Sequence, residues 1–308
     1  MATVFLNGRF TDASHAAVSA FDAGFQHAVG LFETMRAKGP GGESEPSVWR
    51  LSHHLQRLAD SAAMLGLSVD LRTAALAEAV MQTVRRSGLP YCRVRLTITA
   101  GDLNLLSRAA AEPGPPPDPT IMIVAQPATE YPAEMFERGV SVVVADARAN
   151  PLQPFESHKT LSYWWRLREL QAASAKRAGE AIVLQVSNHV CGGCVSNLFL
   201  RRGKELITPI ARGEEGPSSP TQKSGAYLPS PVLPGITRGW VLEHASELGL
   251  STRARMISIG DVLDADEVFL TNSSWGVLPV VKVEAEAIGD GVVGHSARNL
   301  RQRWLGEL

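Results

Sequence analysis

Leu233-Pro234-Gly235-Ile236-Thr237-Arg238 is the stretch on which the reading of this chain turns. Proline and glycine end one segment and open another. The apolar positions that follow recur at helical spacing, so a helix is expected over residues 236–248, closed by Gly249. The first-turn N–H groups of such a helix have no partners within it, and its dipole is positive there. The start of this helix can therefore hold an anion through the amides of Ile236 and Thr237 and the Thr237 hydroxyl. The plain alternative is an ordinary Pro-Gly helix start.

Downstream, Glu267 to Thr271 reads as a strand that runs into Asn272-Ser273-Ser274. Ser273 and Ser274 are a second source of hydroxyl and N–H donors, although polar runs at strand ends are commonly just turns. Upstream, Ser157-His158-Lys159-Thr160-Leu161-Ser162-Tyr163 precedes a helix read over 163–177, whose start carries Trp164 and Trp165. An aromatic-rich helix entry would partly bury Lys159. Burial disfavours an ammonium, and a neutral amine is a nucleophile toward a carbonyl. Against this, most lysines are surface charges. Further upstream still, Leu55, Leu58, Ala62 and Leu65 define an amphipathic helix over 52–67. It carries Arg57, whose planar fork suits a phosphate as well as it suits solvent.

The remaining pattern mixes helices and strands. A helix is expected over 74–87, and strands over 93–100, 120–125, 140–145, 181–186 and 198–201. Two prolines within 126–132 mark a domain boundary, giving an N-terminal domain 1–126 and a C-terminal domain 127–308. Residues 109–119 read as a loop. The run 212–231, dense in Gly, Ser, Pro and charge, reads as a mobile surface insertion.

With 308 residues the chain can form two cores. Its net charge of -1 gives no ground for a nucleic-acid or anionic-membrane partner. No run approaches the roughly 18 apolar residues of a membrane span, and Met1 to Phe10 shows no secretion signal. Three cysteines, Cys92, Cys191 and Cys194, argue against a disulfide framework and fit the cytoplasm. The Cys191-Gly192-Gly193-Cys194 pair has no second pair with which to bind zinc. It is read as two small apolar residues in a turn, with a redox pair as the alternative.

Taken in order, these elements resemble the class IV aminotransferases. These are the fold-type IV pyridoxal phosphate (PLP) enzymes, which include branched-chain and D-amino-acid aminotransferases and aminodeoxychorismate lyases. Asn7-Gly8 and Phe21-Asp22-Ala23-Gly24 are similar to the family's opening, and Gly30-Leu31-Phe32-Glu33-Thr34-Met35-Arg36 to its G-x-F-E-x-x-R segment. His54-Leu55-Gln56-Arg57-Leu58, His158-Lys159-Thr160 and Ser196-Asn197-Leu198-Phe199 resemble its arginine helix, lysine segment and S-N strand. Thr208-Pro209 with Leu233 to Arg238, and Ala265 to Ser273 closed by Pro279-Val280, complete the series.

The resemblance implies a two-domain α/β (α+β) fold with a smaller N-terminal α+β domain and a larger, barrel-like C-terminal domain with helices. It implies a homodimer acting on amino acids and 2-oxo acids. It further implies that Lys159 holds PLP covalently and shuttles a proton. Arg57, the amides of Ile236 and Thr237, and Ser273 or Ser274 would bind the phosphate. Tyr163 would hydrogen-bond the phenolic oxygen, and Phe32 and Arg36 would line the substrate side. No metal is implied.

Two departures stand out. The family carries a glutamate for the pyridine nitrogen five residues before the strand's asparagine, and here that position is Gly192. A one-residue slip gives Cys191 or Gly193, of which only a cysteine thiolate would carry charge. A carboxylate keeps the ring protonated and able to draw electrons, so its loss should hurt full transamination most. The second departure is the 212–231 run, which separates Thr208-Pro209 from Leu233. Three readings follow: an aminotransferase, a lyase releasing pyruvate, and a degenerate, non-catalytic member that binds PLP or only keeps the fold. The lyases commonly carry an asparagine three residues after the lysine, where this chain has Ser162. Restoring Gly192→Glu would separate the third reading from the others by a gain in activity.

Overall fold

A computed structural model describes residues 3–40, 45–102, 118–215 and 229–307. The chain forms two compact units, Met1–Thr129 with His158–Ser162, and Glu130–Ser157 with Tyr163–Glu307. The sequence reading cuts the chain once, after residue 126. Here the lysine segment leaves its chain neighbours and joins the first unit.

The first unit is an antiparallel sheet backed by helices. Its strands are β1 (Thr3–Leu6), β2 (Arg9–Asp12), β3 (Gly30–Lys38), β4 (Ser47–Val48), β5 (Tyr91–Thr99) and β6 (Ile121–Pro127), in the order β2-β1-β6-β5-β3-β4. Its helices are α1 (Ala23–His27), α2 (Leu51–Met64) and α3 (Thr73–Ser87). Alternate residues of a strand share a face. Leu31, Met35 and Ala37 of β3 and Val94, Leu96 and Ile98 of β5 thus meet Leu55, Leu58 and Ala62 of α2 and Val80 and Val84 of α3 in one core. Glu33 lies on this same face of β3, within the apolar stripe.

The second unit holds a nine-stranded mixed sheet. Its strands are β7 (Val140–Ala149), β8 (Glu180–Gln185), β9 (Val190–Gly193), β10 (Asn197–Arg202), β11 (Glu205–Thr208), β12 (Ser251–Ala254), β13 (Glu267–Asn272), β14 (Gly276–Val283) and β15 (Glu286–Ala287). The order is β12-β11-β10-β13-β14-β7-β8-β9, with β15 on β14. The β7–β8, β7–β14 and β11–β12 pairs are parallel. β9 turns directly into β10, with Gly193 N–H donating to the Ser196 carbonyl at 2.9 Å, so the sheet curls back on itself. Its helices are α4 (Glu134–Glu137), α5 (Trp164–Ala175), α6 (Ile236–His244), α7 (Ile259–Leu263) and α8 (His295–Leu305).

Local chemistry explains the helix ends. Ser258 and Asp261 form a reciprocal capping box on α7. The amides of Ser296 and Ala297 in α8 donate to Glu267 of β13, 3.0 and 3.2 Å from Oε2, a cap supplied from 30 residues away in sequence. α6 ends at His244, continues as a single 3₁₀ turn, Ala245–Leu248, and stops at left-handed Gly249. α5 is stopped by Arg177 at φ 59°, not by Gly179 as the sequence suggests. The aromatic start of α5 is not buried either: Trp164 is 84% exposed. Of the loop read over 109–119 and the insertion read over 212–231, residues 109–117 and 216–228 lie outside the described residues.

Candidate active site

The lysine is held by its backbone. The Lys159 carbonyl accepts the Phe32 N–H at 2.9 Å, and Leu161 N–H donates to the Gly30 carbonyl at 3.0 Å. With the Leu31–Thr160 bridge this makes residues 159–161 a short antiparallel companion to the start of β3. Nζ then sits 4.4 Å from the centre of the Phe32 ring. Phe32 and Lys159, singled out separately in the sequence, are therefore brought together. The aromatic neighbour of the lysine is Phe32, not the exposed Trp164. The Arg95 guanidinium lies 3.8 Å from the Phe32 centroid, so two cations stack on one ring. Arg36 is four residues further along the same face of β3, directly opposite Arg93 of β5.

Arg57 is buried, not solvated. Its Nε and Nη2 donate to the two oxygens of Glu33 at 2.9 and 2.6 Å. The 54/57 spacing puts His54 on the same face of α2, and its Nδ1 lies 2.6 Å from Glu33 Oε2. Burial opposes ionisation of Glu33, but Arg57 and then His54 outweigh it and hold the carboxyl at about 2. Burial likewise pushes the His54 pKa down. A neutral ring facing a carboxylate must carry its proton on Nδ1. The group is thus one anion, one cation and one neutral donor, enclosed beneath β3.

In the second unit, Gly235 caps α6 with extended backbone and offers no side chain to the first-turn amides. Thr237 is 1% exposed, and its Oγ1 has no hydrogen-bond partner among the described residues. A buried hydroxyl left so costs about 1–3 kcal/mol, which an anion at this turn would recover. The approach to the turn is anchored by Asn197, whose Nδ2 donates to the Leu233 carbonyl at 2.9 Å. A Cβ on Gly235 would collide with Asn197 Oδ1, so a larger residue would displace the side chain that anchors the turn. Asn197 pairs in register with Thr271. Beyond Thr271, Asn272 Oδ1 accepts the amides of Ser274 and Trp275 at 2.9 and 3.0 Å and shapes the turn that carries Ser273 and Ser274. α6 and this turn therefore flank one end of the β10–β13 pair, and their donors suit a phosphate. Tyr163 lies in this unit, at the N-terminal cap of α5 and half-buried.

The segment opposite the missing carboxylate is tightly built. Glu180 is fully buried at the head of β8. It accepts the amides of Cys194 and Val195 and the Ser196 hydroxyl, each at 3.2 Å, and burial raises its pKa. Gly192 has φ 146°, and a Cβ there would stand 2.6 Å from the Ser196 carbonyl oxygen. A Cβ on Gly193 would stand 2.7 Å from Glu180 Cγ. Cys191 and Cys194 are free and buried, and burial pushes both thiols up to about 12. Neither supplies a thiolate, and both belong to the core beneath α5. In native protein both should react with a disulfide reagent at least about 100-fold more slowly than after unfolding, as thiol absorbance would report; rapid labelling of the folded protein would contradict this burial.

Sequence alone assigns no role to Glu33, His54, Arg95, Glu180 or Asn197. Glu180 did leave a signal there, a lone carboxylate opening an otherwise apolar run.

Residues 30–283 match the family model of the class IV amino-transferases, and the chain belongs to that family. It is 27% identical over 308 residues to the branched-chain-amino-acid aminotransferase of Salmonella typhimurium, covering 98% of this chain and 92% of that protein. It is 26% identical over 287 residues to the aminodeoxychorismate lyase of Bacillus subtilis, covering 91% and 86%. Among solved structures, the branched-chain amino acid aminotransferase of Escherichia coli superposes with a TM-score of 0.84 at 26% identity, covering 99% of this chain and 93% of that one. The fold is therefore that of the fold-type IV aminotransferases, and the protein is an enzyme of this class.

Proposed function

We propose that this enzyme is a PLP-dependent aminotransferase that moves an amino group from an amino acid to a 2-oxo acid. The observation that supports this most is the buried Thr237 hydroxyl, without a partner among the described residues, at the start of α6, where no side chain caps the first-turn amides. It fits the phosphate of PLP, together with the amides of Ile236 and Thr237 and with Ser273 and Ser274. When bound, PLP supplies a carbonyl that links to an amine and a ring that withdraws electrons from it. The protein's own part is to hold the phosphate, to present Lys159 as the linking amine and proton carrier, and to orient the substrate. Phe32, Arg36 and Arg95 share one sheet face, where the cations suit substrate carboxylates. Arg57 contributes to phosphate binding as a cation already oriented by Glu33, and Tyr163 hydrogen-bonds the phenolic oxygen.

The ring-nitrogen end fits less well, because Gly192 and Gly193 offer no acid. That lack weighs on both readings alike; the second, a lyase that forms pyruvate from aminodeoxychorismate, rests on the 26% identity to the aminodeoxychorismate lyase of Bacillus subtilis. Incubating the PLP-loaded protein with paired amino donors and 2-oxo acids tests the first reading; pyruvate release from aminodeoxychorismate without an acceptor would establish the second instead. Failure to retain PLP at all would sink both.

We also propose a cytoplasmic homodimer. Three buried free cysteines fit a reducing compartment. Among the described residues no helix is long and apolar enough to cross a membrane. On the first unit, Phe21 and Phe25 are 66% and 79% exposed on either side of Ala23, beside Val18 and Val29. Such a patch suits a second copy of the chain. In a two-fold dimer each substitution acts twice. Losing the burial of one phenylalanine per subunit should weaken the dimer by roughly 10²- to 10⁴-fold. Sedimentation of Phe25→Asp should therefore show monomer where the wild type is dimeric; an unchanged dimer would place the interface elsewhere.

A further inference from the structure

The 212–231 run is not only a surface feature, because its described start is bound to the first turn of α6. Arg238, one residue after Thr237, is 2% exposed. Its Nη1 and Nη2 each donate at 2.7 Å to an oxygen of Glu214, a bidentate fork. Nη2 also donates to the Pro209 carbonyl at 3.1 Å, and Nε to Thr208 Oγ1 at 3.2 Å. Glu214 itself is fixed, accepting the Ala211 N–H at 2.9 Å. The two flanks of the run are tied together: Arg212 N–H donates to the Val232 carbonyl at 3.0 Å, and the Ser230 hydroxyl to the Ile210 carbonyl at 2.6 Å. Asn197 thus holds the approach to the α6 turn, and Glu214, through Arg238, holds its exit.

We propose that Glu214 is a positioning residue for anion binding at the first turn of α6. It rests on the reading of that turn as the phosphate site. Glu214 fixes the Arg238 side chain, and with it the direction of the Ile236 and Thr237 amides and of Thr237 Oγ1.

The sign of the effect separates positioning from simple charge. Removing a carboxylate close to an anion site, and freeing the arginine it neutralises, should strengthen anion binding by Coulomb attraction alone. Positioning requires the opposite. In full-length apo-protein, the Kd values for inorganic phosphate and for PLP should each rise roughly 10-fold in Glu214→Gln, a loss typical of a broken charged hydrogen bond. The 31P resonance of bound ligand should move, while turnover at saturating PLP stays near that of wild type. Glu214→Asp keeps the charge but cannot span the same distance. It should also weaken both ligands, and it carries the test if the glutamine variant fails to fold, as judged by the fluorescence of buried Trp240. Binding as tight as wild type or tighter in the folded variants would overturn the inference. Wild-type protein that binds phosphate but not PLP, with phosphate weakened in the variants, would sink the cofactor reading and leave this inference standing. Wild-type protein that binds neither would overturn both.

Discussion

Lys159→Ala will lose every borohydride-stable attachment of PLP and at least about 10³-fold in turnover, while still binding PLP without a covalent bond. The size of the loss follows from one residue serving both as linking amine and as proton carrier, each role worth orders of magnitude in rate. Retention follows from the separation of duties: the α6 turn, Asn197, Ser273 and Ser274 do not depend on the lysine side chain. The variant should also fold, because the contacts that fix residue 159 are backbone hydrogen bonds that alanine keeps. Absorption spectra and intact mass before and after borohydride check this. A variant that still gains the mass of reduced PLP would move the linkage to another lysine.

Gly192→Glu is expected to cost about 2–6 kcal/mol of stability and to gain no activity, although the sequence presents it as a repair. The backbone at Gly192 lies at φ 146°, where a side chain is strained by about 1–3 kcal/mol. Its Cβ would meet a carbonyl oxygen of the following turn, which is itself held by buried Glu180. Accommodating it requires a shift of strand and turn together, which adds an overpacking cost of about 1–3 kcal/mol. Urea titration should show a lower midpoint with an unchanged slope. Undiminished stability with a large gain in turnover would mean that only a ring partner was missing. The backbone at this position suits glycine, so supplying a carboxylate here is a conformational problem as well as a chemical one.

These cases show what was legible in the sequence. Helices α2, α3 and α6 announce themselves through apolar spacing, and α6 also through its Pro-Gly start, because these signals are local. The buried strand β8 is visible for the same reason. The pairing of Glu33 with Arg57 is not, since it joins a strand to a helix 24 residues later; from spacing alone Arg57 looks as much solvated as bound. Trp164 misleads in the other direction: an aromatic residue at a helix start reads as buried, and no local rule says which way it faces. At Gly192 the missing carboxylate is plain in the sequence, but the backbone angle is not. Glu214 is hidden because a charged residue in a run rich in Gly, Ser and Pro looks like solvent-facing loop.

The pairing of residues 159–161 with β3 also limits how the lysine can work. With its carbonyl and the Leu161 N–H two residues on tied to β3, residue 159 cannot travel with a moving loop. Any transfer of Nζ between bonding partners must come from rotation about its own side-chain bonds, a change on the picosecond-to-nanosecond scale and not the microseconds of loop closure. The Phe32 and Leu161 amides should accordingly be among the slowest of this segment to exchange with deuterium, whether or not substrate is turning over.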